Sequence, residues 1–177
     1  SEITGQLDEM LSEIKHNGDL EAEFGKIMSD IYGDFAYEYV PRRENKGDRR
    51  ATFKQGFQRV YSDFHGMGLQ RAALLISALM LSKNTAMLIE EIEVFQHPEA
   101  IKKLTKHMVD LARKNNVQLF ITTHSYHDAL KYFYYAFKDP KQRTNDFRSF
   151  LIQRQNGKVT AKLSNHEEII KEVYGKT

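Results

Sequence analysis

The sequence predicts an α/β fold in which parallel strands are flanked by helices, with β-hairpins added at the margins. Three observations predict it. From Leu69 to Phe137, stretches of helical period alternate with short apolar runs, the order expected of parallel layering. Two of those runs, Ala86–Ile89 and Val117–Thr122, have strand length and end in polar residues that can carry chemistry. Further on, Asn156-Gly157 separates two extended runs, the strongest short hairpin signal.

Taken in order, Leu7, Met10, Leu11 and Ile14 recur at helical spacing, and Asn17-Gly18 stops that helix. A second helix, from about Leu20, places Phe24, Ile27, Met28 and Ile31 on one face. Residues 1–40 thus read as a helical pair, local core or else the root of an insertion, and residues 41–177 as the main lobe. Phe35 to Phe64 reads as extended chain around a polar turn, Pro41 to Arg50, which makes a hairpin with a basic tip. A helix over Leu69–Leu81, the strand Ala86–Ile89, a helix over Glu99–Lys114 and the strand Val117–Thr122 follow. Ile101, Leu104, Met108 and Leu111 form the inner face of the second of these helices. A helix over Tyr126–Phe137, the hairpin Phe150–Gln153 with Val159–Leu163, and a short helix, Glu167–Tyr174, complete the reading.

The 177 residues suffice for one domain with a real core, and the composition, 41% hydrophobic and 28% charged, is that of an ordinary globular chain. Without cysteine there is neither a disulfide nor a thiolate zinc site, and a reducing, cytoplasmic setting is expected. No signal peptide is read in the opening residues, and no run approaches the ~20 apolar residues of a membrane span. A net charge of +2 permits nucleic-acid binding without arguing for it.

Three places can carry chemistry. Glu90-Glu91 stands at the C-terminal end of a strand, where open α/β sheets bind ligands. One carboxylate there can hold Mg²⁺ through water while its neighbour orients an attacking water. His124, just past the next strand, can hydrogen-bond a phosphate or that water. Gly66 and Gly68 precede an apolar helix, where glycine permits close approach and a helix N-terminus favours anions. Each alone is more often ordinary structure: a solvated acidic strand end, a capping or packed histidine, a turn.

Their order is more specific. Gly66-x-Gly68-x-Gln70-Arg71 leads to Leu88-Ile-Glu-Glu-Ile-Glu-Val-Phe-Gln-His-Pro98 and then to Thr122-Thr-His-Ser125. Over His65 to Ser125 the chain resembles the ABC-type ATPases of the overcoming-lysogenization-defect (OLD) group and their SMC-like relatives. The resemblance implies a partial P-loop NTPase, the C-terminal lobe of an ABC-type ATPase, which binds and hydrolyses ATP. It implies that Glu90 holds Mg²⁺, Glu91 is the catalytic carboxylate and His124 senses the γ-phosphate. Gly66, Gly68 and Gln70 then match the signature that contacts ATP held by the other subunit of a head-to-tail homodimer, and Glu93 to His97 lie in the interfacial D-loop. Ile92 replaces the relatives' Pro and Gln96 their Leu, neither expected to touch the chemistry. His65 and Met67 stand where small residues are common in the signature.

No G-x-x-x-x-G-K-[ST] occurs in the sequence, although the phosphates need such a loop; Gly25-Lys26 comes nearest. An N-terminal P-loop lobe, in the same or another chain, is therefore the first partner expected, and alone the chain should bind ATP poorly and present an incomplete parallel sheet. DNA is a second partner, through Arg42, Arg43, Lys46, Arg49 and Arg50, a cluster more often merely solvated. Tyr132 to Tyr135 could stack on bases but read as core, and His124 with His127 is off the spacing of a helical metal pair. The competing function is a degenerate, non-hydrolysing lobe that binds protein or DNA.

Overall fold

In the computed structural model, residues 2–33, 35–41, 49–55, 58–61 and 66–165, with 168 and 171, are described. Helices α1 (Glu2–Lys15) and α2 (Gly18–Tyr32) precede an antiparallel sheet of β1 (Phe35–Pro41), β2 (Arg49–Gln55) and β3 (Gln58–Tyr61). Then come α3 (Met67–Leu81), β4 (Thr85–Ile89), α4 (Pro98–Lys114) and β5 (Val117–Ile121). A π-helical turn (Tyr126–Leu130) runs into α5 (Lys131–Ala136), followed by α6 (Pro140–Asp146) and the hairpin β6 (Phe150–Gln155) and β7 (Lys158–Leu163). The tip of the first hairpin, residues 42–48, lies outside the described residues, as does the expected helix Glu167–Tyr174 apart from Glu168 and Lys171.

Local chemistry explains most boundaries. The Asn17 side chain accepts from the Leu20 amide and caps α2. His97 caps α4 through Nδ1 with Pro98 in the first turn, so His-Pro is a helix start as well as a motif. Asn156 and Gly157 both have positive φ, 49° and 77°, as the tight turn between β6 and β7 requires. Two features depart from expectation. The helix expected over Tyr126–Phe137 opens as a π-helical turn, with the Leu130 amide donating five residues back to the Ser125 carbonyl. Helix α6 was not expected, although Asp139 caps it and Pro140 begins it, both readable signals.

One hydrophobic cluster runs from Leu7 to Phe137 and includes the inner faces of α1 and α2. Helix α3 is its centre. It is apolar nearly all round, with Leu69, Ala72, Ile76 and Leu79 buried, because α1, α2 and α4 all pack on it. Phe24, Phe35 and Phe53 join the antiparallel sheet to α2 through ring contacts of 6.1 and 5.1 Å.

Strands β4 and β5 pair in parallel, Leu88 opposite Phe120 and Ile89 opposite Ile121. Both were expected to be buried strands, yet only one face is. Ile89 is 5% exposed, while on the opposite face Leu88 is 80% and Phe120 52% exposed. Side chains alternate across a strand, and among the described residues the remaining elements cover only one side of this sheet. The two strands enter alike: Asn84 and Asn116 both adopt positive φ, and Asn116 Nδ2 donates to Asn84 Oδ1 at 2.9 Å.

Candidate active site

The parallel pairing of β4 and β5 delivers their C-terminal ends side by side, and the two remote motifs meet there. The Thr122 amide donates to the Ile89 carbonyl at 2.9 Å, extending the ladder one step past the strands. Glu91 then turns aside with φ 46°, its amide donating to Thr122 Oγ1 at 3.0 Å. His124 Nε2 stands 3.4 Å from Glu91 Oε1, with the side chains 82% and 51% exposed. An open carboxylate beside an open imidazole can take up and share a proton from a water bound next to the pair. Glu90 is exposed next to them, its carbonyl accepting from Arg71 of α3, and the same guanidinium reaches the Glu91 carbonyl at 3.1 Å.

Glu93 holds the second strand end. Its carboxylate accepts from the Thr123 hydroxyl at 2.7 Å and from the His124 amide at 2.6 Å. Burial pushes this carboxyl up, but bonds from its own amide, from Thr123 and from His124, aided by the charge of His124, hold it below the ordinary 4.5. The sequence places Glu93 in the loop after β4; only folding reveals that it fixes the backbone of His124.

The signature residues sit at the start of α3. Gly66 precedes the helix with no side-chain capping bond, and the first turn carries no acidic residue. Gly68 touches the loop after β4 so closely that a Cβ would lie 2.2 Å from the Phe95 carbonyl oxygen, so no larger residue fits there without displacing backbone. Gln70 and Glu90 line one groove of about 380 Å³ together with Met10, Leu74, Met87 and Leu88. Phe64 and His65 lie outside the described residues.

Both departures from the motif have a structural role away from the carboxylates and the imidazole. Ile92 is fully buried and its amide reaches the Thr122 carbonyl at 3.4 Å, a bond that proline cannot donate. Proline would also push Glu91 towards extended backbone, away from its positive φ. Gln96 donates through Nε2 to the Gly68 carbonyl at 2.8 Å and accepts from the Tyr32 hydroxyl at 2.8 Å.

The chemistry of the donors suits a hard cation. Glu90 and Glu91 offer only carboxylate oxygen, and no three His, Asp or Glu side chains converge as a metal site among the described residues. Mg²⁺ fits such a place, because it binds through one or two carboxylates and completes its shell with water and phosphate oxygens.

Comparison with known proteins gives a family and a fold. A family model described as AAA ATPase domain matches residues 1–129. An uncharacterised protein of Methanocaldococcus jannaschii, MJECL11, is 33% identical over 60 residues, covering 34% of this chain and 53% of that protein. The chain thus spans about half the length of the curated relative it matches. Among solved structures, an SMC ATPase studied for ATP-driven dimerisation and DNA-stimulated activation superposes with TM-score 0.63 at 11% identity, over 89% of this chain and 92% of that one. An Smc head domain with an extended coiled coil from Pyrococcus furiosus, bound to the C-terminal domain of ScpA, gives 0.56 at 13% identity, over 93% and 43%. At such identities the likeness establishes the fold, a mixed α/β P-loop NTPase architecture of the SMC-head kind.

Proposed function

The chain belongs to the AAA ATPase domain family, and from that premise we propose that it is the C-terminal lobe of an ABC-type ATPase head, hydrolysing ATP once a P-loop lobe is joined to it. The observation that carries the proposal is the approach of Glu91 and His124 to 3.4 Å at adjacent strand ends, both open to solvent. ATP with Mg²⁺, when bound, supplies the phosphoryl group and the charge that neutralises it in transfer. Glu90 would hold that metal, through water. Glu91 orients the attacking water and accepts its proton at a carboxylate oxygen. His124, its backbone held by Glu93, donates to the γ-phosphate or to the same water. Gly66, Gly68 and Gln70, at the uncapped start of α3, contact the nucleotide of a second subunit in a head-to-tail dimer.

The open face of β4 and β5 supports the need for a further lobe, since exposed Leu88 and Phe120 are the side chains a covering layer would bury. The runs Leu88–Pro98 and Thr122–Ser125 support a finer placement near the OLD group, and α1 with α2 is retained as the root from which an insertion would leave the lobe. DNA is a further partner on this reading, in keeping with the DNA-stimulated SMC ATPase whose fold the chain shares.

In the assembled ATPase, Glu91→Gln is expected to lower kcat about 100-fold or more while ATP still binds, as for loss of a general base. Hydrolysis at the wild-type rate by that variant would end the catalytic reading and leave a docking module.

A further inference from the structure

Three segments far apart in sequence meet at one carbonyl oxygen. Gly68, in the first turn of α3, accepts from Gln96 Nε2 at 2.8 Å and from the hydroxyl of Tyr32, the last residue of α2, at 3.0 Å. The Tyr32 hydrogen is shared with Gln96 Oε1 at 2.8 Å. Gln96 is thereby held in one orientation, because only its Nε2 can donate to Gly68 while its oxygen receives Tyr32. Backbone contact between Gly68 and Phe95 closes the joint.

One turn further along α3, Arg71 holds the carbonyls of Glu90 and Glu91. The loop that carries Glu91 is therefore fastened to α3 at both ends, and Glu91 itself is held at φ 46° between the fastenings. A loop pinned in this way follows the start of α3 as one body.

We propose that Tyr32 and Gln96 are positioning residues, forming with Gly68 a clamp through which the start of α3 sets the placement of the Glu91 carboxylate. This rests on the ATPase reading above. On that reading the start of α3 meets the nucleotide of a second subunit, so the clamp ties engagement there to the carboxylate of this subunit's own site. Burial pushes the Tyr32 phenol up to about 12, so the hydroxyl remains a donor throughout the working range and the clamp does not loosen with pH.

The test uses the ATPase assembled with its P-loop lobe and compares wild type, Glu91→Gln, Tyr32→Phe, Gln96→Leu, Gln96→Glu and the Tyr32→Phe/Gln96→Leu pair. Tyr32→Phe keeps the ring, and Gln96→Leu keeps nearly the same volume. Each of the three clamp singles is expected to lower kcat about tenfold with the KM for ATP within twofold, and in Tyr32→Phe and Gln96→Leu, which add no titratable group, the shape of the pH profile is unchanged, the signature of a misplaced group. The double variant is expected to match the weaker single variant, because the residues act as one unit. Unchanged kcat in Tyr32→Phe and Gln96→Leu, multiplicative loss in the pair, or a rise in KM matching the fall in kcat would overturn the clamp while leaving the ATPase reading intact. No hydrolysis by wild type, or full activity of Glu91→Gln, would overturn the ATPase reading and the clamp with it.

Discussion

Among the site residues, Glu93 shows how one side chain can serve two strand ends. It leaves the loop after β4 yet binds the backbone of His124 beyond β5. Because its folded carboxyl lies below the ordinary 4.5, the stability it contributes is present above that pH and is lost as pH falls through the folded value. We expect the protection of the His124 amide against hydrogen exchange to drop on acidification below pH 4.5. In Glu93→Gln, the step should vanish, and protection should be about tenfold lower than in wild type above pH 4.5, the worth of one charge-assisted hydrogen bond. A step that persists in the variant would assign it to another group. Glu90, Glu91 and His124 drew notice in the sequence through the order of their motifs and the resemblance it carries, since each alone reads as ordinary structure. The roles of Ile92 and Gln96 were not, since each depends on a partner more than 25 residues away, Thr122 and Gly68 respectively.

At the level of elements, periodicity carried most of the fold. Helices α1 to α4 and both parallel strands lie within a few residues of where apolar spacing puts them, because each buries a face and the face sets the period. Helix α3 departs from that pattern, being apolar on nearly every side, and it also buries Ser77 entirely, with no hydrogen-bond partner for the hydroxyl among the described residues. Removing an unpaired buried hydroxyl recovers its desolvation cost, so Ser77→Ala is expected to raise unfolding stability by about 1 kcal/mol in chemical denaturation. A loss of stability instead would mean that the hydroxyl is satisfied. The π-helical turn after His124 was invisible in advance, since a one-residue widening of a helix leaves composition and period almost untouched.

For the whole molecule, the half-covered parallel sheet is the feature with the widest consequence. Leu88 and Phe120 stand exposed on one side of a two-stranded sheet, the apolar surface that the proposed second lobe would cover, and no helix of the described residues is long and apolar enough to cross a membrane. With the P-loop lobe supplied as a separate polypeptide, Phe120→Asp should weaken its binding about 30-fold, or about 2 kcal/mol by titration calorimetry, because a charge would be buried without a partner. Equal affinity for both forms would place the docking surface elsewhere.

The sequence by itself determined that strands and helices alternate here, that two carboxylates and a histidine end adjacent apolar runs, and that no G-x-x-x-x-G-K-[ST] run occurs among its 177 residues. These are properties of local spacing and residue type, which neighbouring residues dictate. Only the tertiary structure decided that the two strand ends lie at hydrogen-bonding distance and that Glu93 fixes His124. It alone tied the start of α3 to the Glu91 loop through Tyr32 and Gln96. Each of those facts is a contact between segments distant along the chain, and such contacts exist only once the core has brought the segments together.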